Sequence, residues 1–138
     1  MSRISYSQLS MYNECPLRWK LNYIDKLRIS ESSIHLIFGT AMHEVIQTYL
    51  EVMYNDTAKN ADLLDLNEML KDKLIEQFNI AKERDGKAPC TKEEIQEFFE
   101  DGVEILKFVK SKRNEYFHKR DYELIGCEVP ISYDLEKN

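Results

Sequence analysis

His43 is the side chain whose type and setting most invite chemistry. It follows Gly39 by one helical turn in Phe38-Gly39-Thr40-Ala41-Met42-His43. At 100° per residue it lies about 110° from the centre of the apolar stripe around it, at the boundary of core and solvent. Helical side chains lean toward the N-terminus, so its ring reaches over the space that Gly39 leaves empty. A neutral imidazole at such an edge can ligate a metal. A boundary histidine hydrogen-bonded to a neighbour is the plainer reading, and spacing alone favours it. The chain holds 3 His and 3 Cys, with no H-x-x-x-H or C-x-x-C pair, so a self-contained zinc site is not expected. Gly-rich phosphate loops and nucleophile elbows are absent as well.

Cys15 stands in Tyr12-Asn13-Glu14-Cys15-Pro16. It reads either as a small residue at a helix junction or as one thiolate of a soft-metal or iron–sulfur site. Such a cluster needs four thiolates, more than this chain has. Glu128 falls on the opposite face of an alternating segment from Ile125, Cys127 and Val129, so it faces either a site or water. Asp134, Glu136 and Lys137 resemble an acidic nuclease set by composition only. Glu136 and Lys137 are adjacent, and adjacent strand residues point apart.

The elements that must position these residues follow from periodicity and caps. Ser5 with Gln8 reads as a helix start, and Cys15 before Pro16 ends that helix. Pro16 opens a second one. Phe38, Ala41, Met42, Val45, Ile46, Tyr49, Leu50 and Met53 mark a third. Leu66, Met69, Leu70, Leu74, Phe78 and Ala81 mark a fourth, closed by Arg84-Asp85-Gly86-Lys87. Thr91 with Glu94 opens a long fifth. The expected helices are about 6–14, 16–25, 36–54, 64–83 and 92–119. The period then drops to two, which predicts a strand over about 122–134. The fold class is mostly α with a C-terminal β-strand. A lone strand cannot satisfy its own backbone, so the chain reads as a single, incomplete domain, the first part of something larger.

The chain has 138 residues, 43% of them hydrophobic, and a net charge of -6. That suits one domain with a real core and argues against disorder. Only 4 Gly and 3 Pro leave little room for a turn-rich all-β fold. No apolar run approaches a membrane span, and the unpaired, widely spaced cysteines fit a reducing cytoplasm. The acidic total does not exclude nucleic acid, because binding depends on local patches. Arg3, Arg18, Lys20, Lys26 and Arg28 outnumber Glu14 and Asp25 near the N-terminus. Solvated helix faces produce such clusters equally often.

The ordered set Ser5-Tyr6-Ser7-Gln8-Leu9, Tyr12, Cys15-Pro16, Trp19, Tyr23 and Phe38-Gly39-Thr40-Ala41-Met42-His43 resembles the N-terminal part of a known family. It is similar to the RecB-like, AddB-like branch of the PD-(D/E)XK nucleases, which includes CRISPR-adaptation and phage exonucleases. The motifs cover roughly residues 3–54. The order of elements extends the likeness to 134. The resemblance implies the N-terminal helical portion of an α/β restriction-endonuclease-like fold, and a deoxyribonuclease dependent on Mg²⁺ or Mn²⁺. It implies that His43 is a catalytic metal ligand and that the strand carrying Glu128 opens the catalytic sheet. In some members the cysteine matching Cys15 begins a 4Fe–4S site.

The same likeness places residues 1–30 along the DNA path, with Arg18 and Lys20 as phosphate contacts. It suggests exonuclease work in DNA repair, recombination or phage DNA processing, beside a helicase or recombination partner. The family's later aspartate and Asp/Glu-x-Lys motifs have no counterpart in this sequence. The chain alone is therefore expected not to cleave DNA, and to self-associate through its exposed strand. The alternative is a non-catalytic helical module that binds DNA or a protein.

Overall fold

The computed structural model describes residues 4–27, 32–117 and 122–131. The chain divides into two compact units, Met1–Glu31 and Ser32–Asn138. In the first unit, α1 spans Tyr6–Glu14 and α2 spans Pro16–Trp19, and a π-helical turn continues over Lys20–Ile24. Ser5 caps α1 by accepting the Gln8 N–H at 3.3 Å. Cys15 breaks the two helices because its φ of -159° is extended, as the following proline demands. Its thiol then caps α2, accepting the Arg18 N–H at 3.4 Å. Tyr12 meets Trp19 edge to face at 5.4 Å, and Trp19 lies 6.5 Å from Tyr23. Trp19 and Tyr23 are half-buried, while Tyr12 stays 48% exposed.

The second unit is built around α3, Ile34–Asn55. Around it stand α4 (Ala58–Leu63), α5 (Leu66–Asp85) and α6 (Lys92–Tyr116). Ile37, Ala41, Val45, Tyr49 and Met53, one every fourth residue, are buried along a single stripe of α3. Leu66, Leu70 and Leu74 of α5 and Leu106 of α6 close the core against them. Burying each such side chain contributes roughly 1.5–3 kcal/mol. The short α4 is not expected from periodicity. Thr57 caps it by accepting the Asn60 N–H at 3.0 Å. Asp65 caps α5, and Gly86 ends it with φ 68°, a left-handed position that suits glycine. A complete capping box joins Thr91 and Glu94 at the start of α6.

The expected strand over 122–134 is corrected by the structure. Residues 122–131 run without strand pairing among the described residues, and 132–134 lie outside them. Ile125 and Ile131 are each 93% exposed and Val129 is 53% exposed, so they do not pack on α6 as alternation suggests. The physical reason is twofold. Extended backbone needs a ladder partner to satisfy its N–H and C=O groups. Glu128 also takes φ 51°, which bends the chain and breaks the two-residue phase. The expected self-association through a strand edge loses its basis with the strand. The expected end of the long helix at 119 also lies outside the described residues. Within them, α6 closes at Tyr116.

Two polar clusters lock the helix ends. The Tyr49 hydroxyl donates to Asp62 Oδ1 at 2.9 Å, and Arg113 of α6 bonds the same carboxylate. Lys110 donates to the carbonyls of Asp62 and Leu64 at 3.3 and 3.4 Å. Burial alone would raise the Asp62 carboxyl. The hydrogen bonds from Arg113 and Tyr49 and the nearby positive charges outweigh it and hold Asp62 below its ordinary value. At the other end, Ser32 N–H donates to Asp85 Oδ2 at 2.8 Å, and Arg84 bonds both Ser32 and Asp85. The Arg84 guanidinium and the two donors of Ser32 push Asp85 well below the usual carboxylate range.

A β-carbon at Gly102 would sit 2.5 Å from Leu70 Cδ2 and 3.0 Å from Phe38 Cε2. Leu70 is fully buried and cannot swing away. Gly102→Val is therefore expected to cost on the order of 2 kcal/mol by overpacking, read from the urea midpoint at unchanged slope. Asp62 and Asp85 titrate lower in the folded chain than the unfolded value of about 4. Their contribution is complete above that value and disappears as pH falls through the folded one. Melting temperature should therefore drop on acidification, with a shallower acid limb in Asp85→Asn. An identical limb would show that Asp85 contributes nothing to it.

Candidate functional site

α3 fixes His43 by burying the neighbouring stripe. Ala41, Met42 and Val45 face the core, and His43, about 100° further round the helix than Met42, stays outside it. The His43 side chain is 72% exposed, and its Nδ1 lies 2.7 Å from Glu128 Oε1. The two are far apart in sequence, and the left-handed bend at Glu128 accompanies their meeting. A bend, rather than the face of a pleated strand, brings the carboxylate to the ring. A β-carbon on Gly39 would touch nothing within 4 Å, so the surface one turn before His43 is open.

Gln47 and Glu51 continue from His43 at four-residue steps along α3, with Gln47 Nε2 donating to Glu51 Oε1 at 3.2 Å. Cys127 is half-buried beside this row. Burial, then the charges of Glu51 and Glu128, push its thiol up, so it stays protonated and is not a ready nucleophile. Sequence reasoning misses Gln47 and Glu51. Their spacing from His43 is the available signal. Glu44 is engaged elsewhere, held by Lys73 of α5 at 2.9 Å and by Gln77 at 3.4 Å.

The other sequence candidates belong to the first unit. Cys15 acts as a helix cap and is exposed. Arg18 lies 3.6 Å from Glu14, and Lys20 lies 3.6 Å from Asp25. Both basic side chains are about 60% exposed, and exposed pairs of this kind contribute about 0–1 kcal/mol. His35 packs edge to face on Phe98 at 5.2 Å, a structural contact. His118 lies outside the described residues.

As a donor set, His43 and Glu128 offer one imidazole nitrogen and one carboxylate. Among the described residues, no three His, Cys, Asp or Glu groups converge on a point that would hold a metal ion. The pair therefore fits part of a coordination sphere, with water or other donors completing it. An iron–sulfur cluster does not fit this chain by itself, since 3 thiols cannot supply four ligands.

The model of the PD-(D/E)XK nuclease superfamily matches residues 3–134. Comparison with curated proteins and with solved structures gave no match. The match spans both units, so the helices carrying Cys15, Arg18 and Lys20 and the pair His43 and Glu128 fall within one family pattern.

Proposed function

The chain belongs to the PD-(D/E)XK nuclease superfamily, whose members generally use divalent metal ions, and on that premise we propose that it serves an Mg²⁺- or Mn²⁺-dependent DNA exonuclease of the RecB-like, AddB-like branch. The observation that carries this reading is the meeting of His43 and Glu128 at 2.7 Å on an open face of α3. In this proposal His43 is a metal ligand through its ring nitrogen, and Glu128 stands beside it. A divalent cation in such a site activates water and stabilises the charge that develops on a phosphodiester. The chain's own part is to hold the imidazole on a rigid helix, since a side chain on a buried-stripe helix keeps its place better than one on a loop.

Arg18 and Lys20 are assigned to the phosphate backbone. Their exposure and their loose pairs with Glu14 and Asp25 support this role. Work in DNA repair, recombination or phage DNA processing, in the cytoplasm and beside a helicase, completes the reading.

The test uses the full-length gene product and linear duplex DNA. His43→Ala should lower Mn²⁺-dependent cleavage by more than about 100-fold, the upper range for loss of an outer-shell partner, which a direct ligand exceeds, with helix content unchanged by circular dichroism. Unchanged cleavage would sink the ligand role. Arg18→Ala with Lys20→Ala should reduce the slope of log affinity against log salt by about two, one for each phosphate that is no longer neutralised. DNA binding without any metal-dependent cleavage would instead favour a non-catalytic binding module.

A further inference from the structure

We infer that Glu128 is a positioning residue: it fixes His43 in the Nδ1–H tautomer and so presents Nε2 as the lone-pair nitrogen. The inference deepens the metal-site reading and rests on it for the purpose the free nitrogen would serve. The tautomer itself can be tested without any metal.

The chemistry is determined by what each group can donate. An ionised carboxylate accepts hydrogen bonds and has none to give. The 2.7 Å contact joins Glu128 Oε1 to Nδ1, so in the neutral ring the hydrogen must sit on Nδ1. Nε2 then carries the lone pair, on a side chain that is mostly open to solvent. Free neutral histidine prefers the opposite tautomer, with hydrogen on Nε2. A carboxylate at Nδ1 is the usual device by which proteins reverse that preference and aim the other nitrogen at a cation.

Backbone strain at Glu128 points the same way. Its φ of 51° is left-handed, a conformation unfavourable for a residue with a β-carbon and open to glycine. Glycine there would relieve the backbone and lose the carboxylate. The residue that takes this conformation is the one whose carboxylate reaches His43, so the bend and the contact occur together. Gln47 and Glu51 satisfy each other at 3.2 Å, and Glu44 is held by Lys73. Neither neighbouring carboxylate on α3 is therefore the partner of the His43 ring.

The experiment is long-range proton–nitrogen correlation NMR on the full chain labelled with ¹⁵N-histidine, at a pH where the ring is neutral. His43→Gln assigns the resonance among the 3 histidines. The wild-type chain should show Nδ1 as the protonated nitrogen and Nε2 as the bare one. Glu128→Ala should reverse the two while the backbone spectrum keeps its dispersion. A wild-type His43 protonated on Nε2, or a pattern indifferent to Glu128→Ala, would overturn the inference. The wild-type spectrum alone decides the matter should that variant fold poorly. Titration with Mn²⁺ forms a second arm. Broadening of the His43 ring protons, weakened about 10- to 100-fold in apparent affinity by Glu128→Ala, is the expected result for an outer-shell partner. Tautomer reversal with no Mn²⁺ broadening would uphold the positioning and count against the metal reading.

Discussion

The second unit depends on one constraint: α3 must bury a continuous stripe against three other helices. Tyr49 is the tightest point of that constraint, because it is fully buried and carries a hydroxyl. A buried hydroxyl without a partner costs about 1–3 kcal/mol. Asp62 supplies the partner, and Arg113 of α6 neutralises Asp62. One aromatic ring thus ties α4 to α3 and sets which turn of α6 lies over them. Burial also pushes the Tyr49 phenol up, and the Asp62 charge adds to that, so the hydroxyl remains the donor this arrangement needs.

With that stripe fixed, the freedom left to His43 is small. Its backbone belongs to a helix whose neighbours Ala41, Met42 and Val45 are locked in the core. The ring therefore stands at a defined height on the open edge, with only its side-chain torsions to set. Those torsions are what a hydrogen bond at Nδ1 can restrict. Rigid helix and polar contact act on different degrees of freedom, and a ligating imidazole needs both. The acidic row of Glu51 and Glu128 makes this edge more congenial to a cation than to an anion.

The helical stripes were legible because burial imposes a 3.6-residue period on α3, α5 and α6. The break at Cys15-Pro16 was legible because proline restricts the residue before it. Thr91 and Glu94 announced a capping box that the structure completes. The short α4 was not legible by period, since six residues hold too little of a stripe, although Thr57 and Asn60 mark its start. Tyr49, Asp62 and Arg113 were not legible as a group. No local pattern links three residues from three helices.

Residues 122–131 show where a local pattern and a global requirement part. Alternation over Ile125, Cys127 and Val129 is what a half-buried strand would have, and β-branched residues favour it. Periodicity states only which side chains would share a face if the backbone were extended. It does not provide the neighbouring strand whose carbonyls and amides extended backbone requires. Without such a neighbour among the described residues, the segment is free to give up its phase at Glu128. The gain is a carboxylate delivered to His43 through a bend of one residue. A pleated strand would bring the same side chain to α3 only if the whole segment lay in register beside it. A bend asks that of Glu128 alone, so the contact to His43 survives where the strand does not.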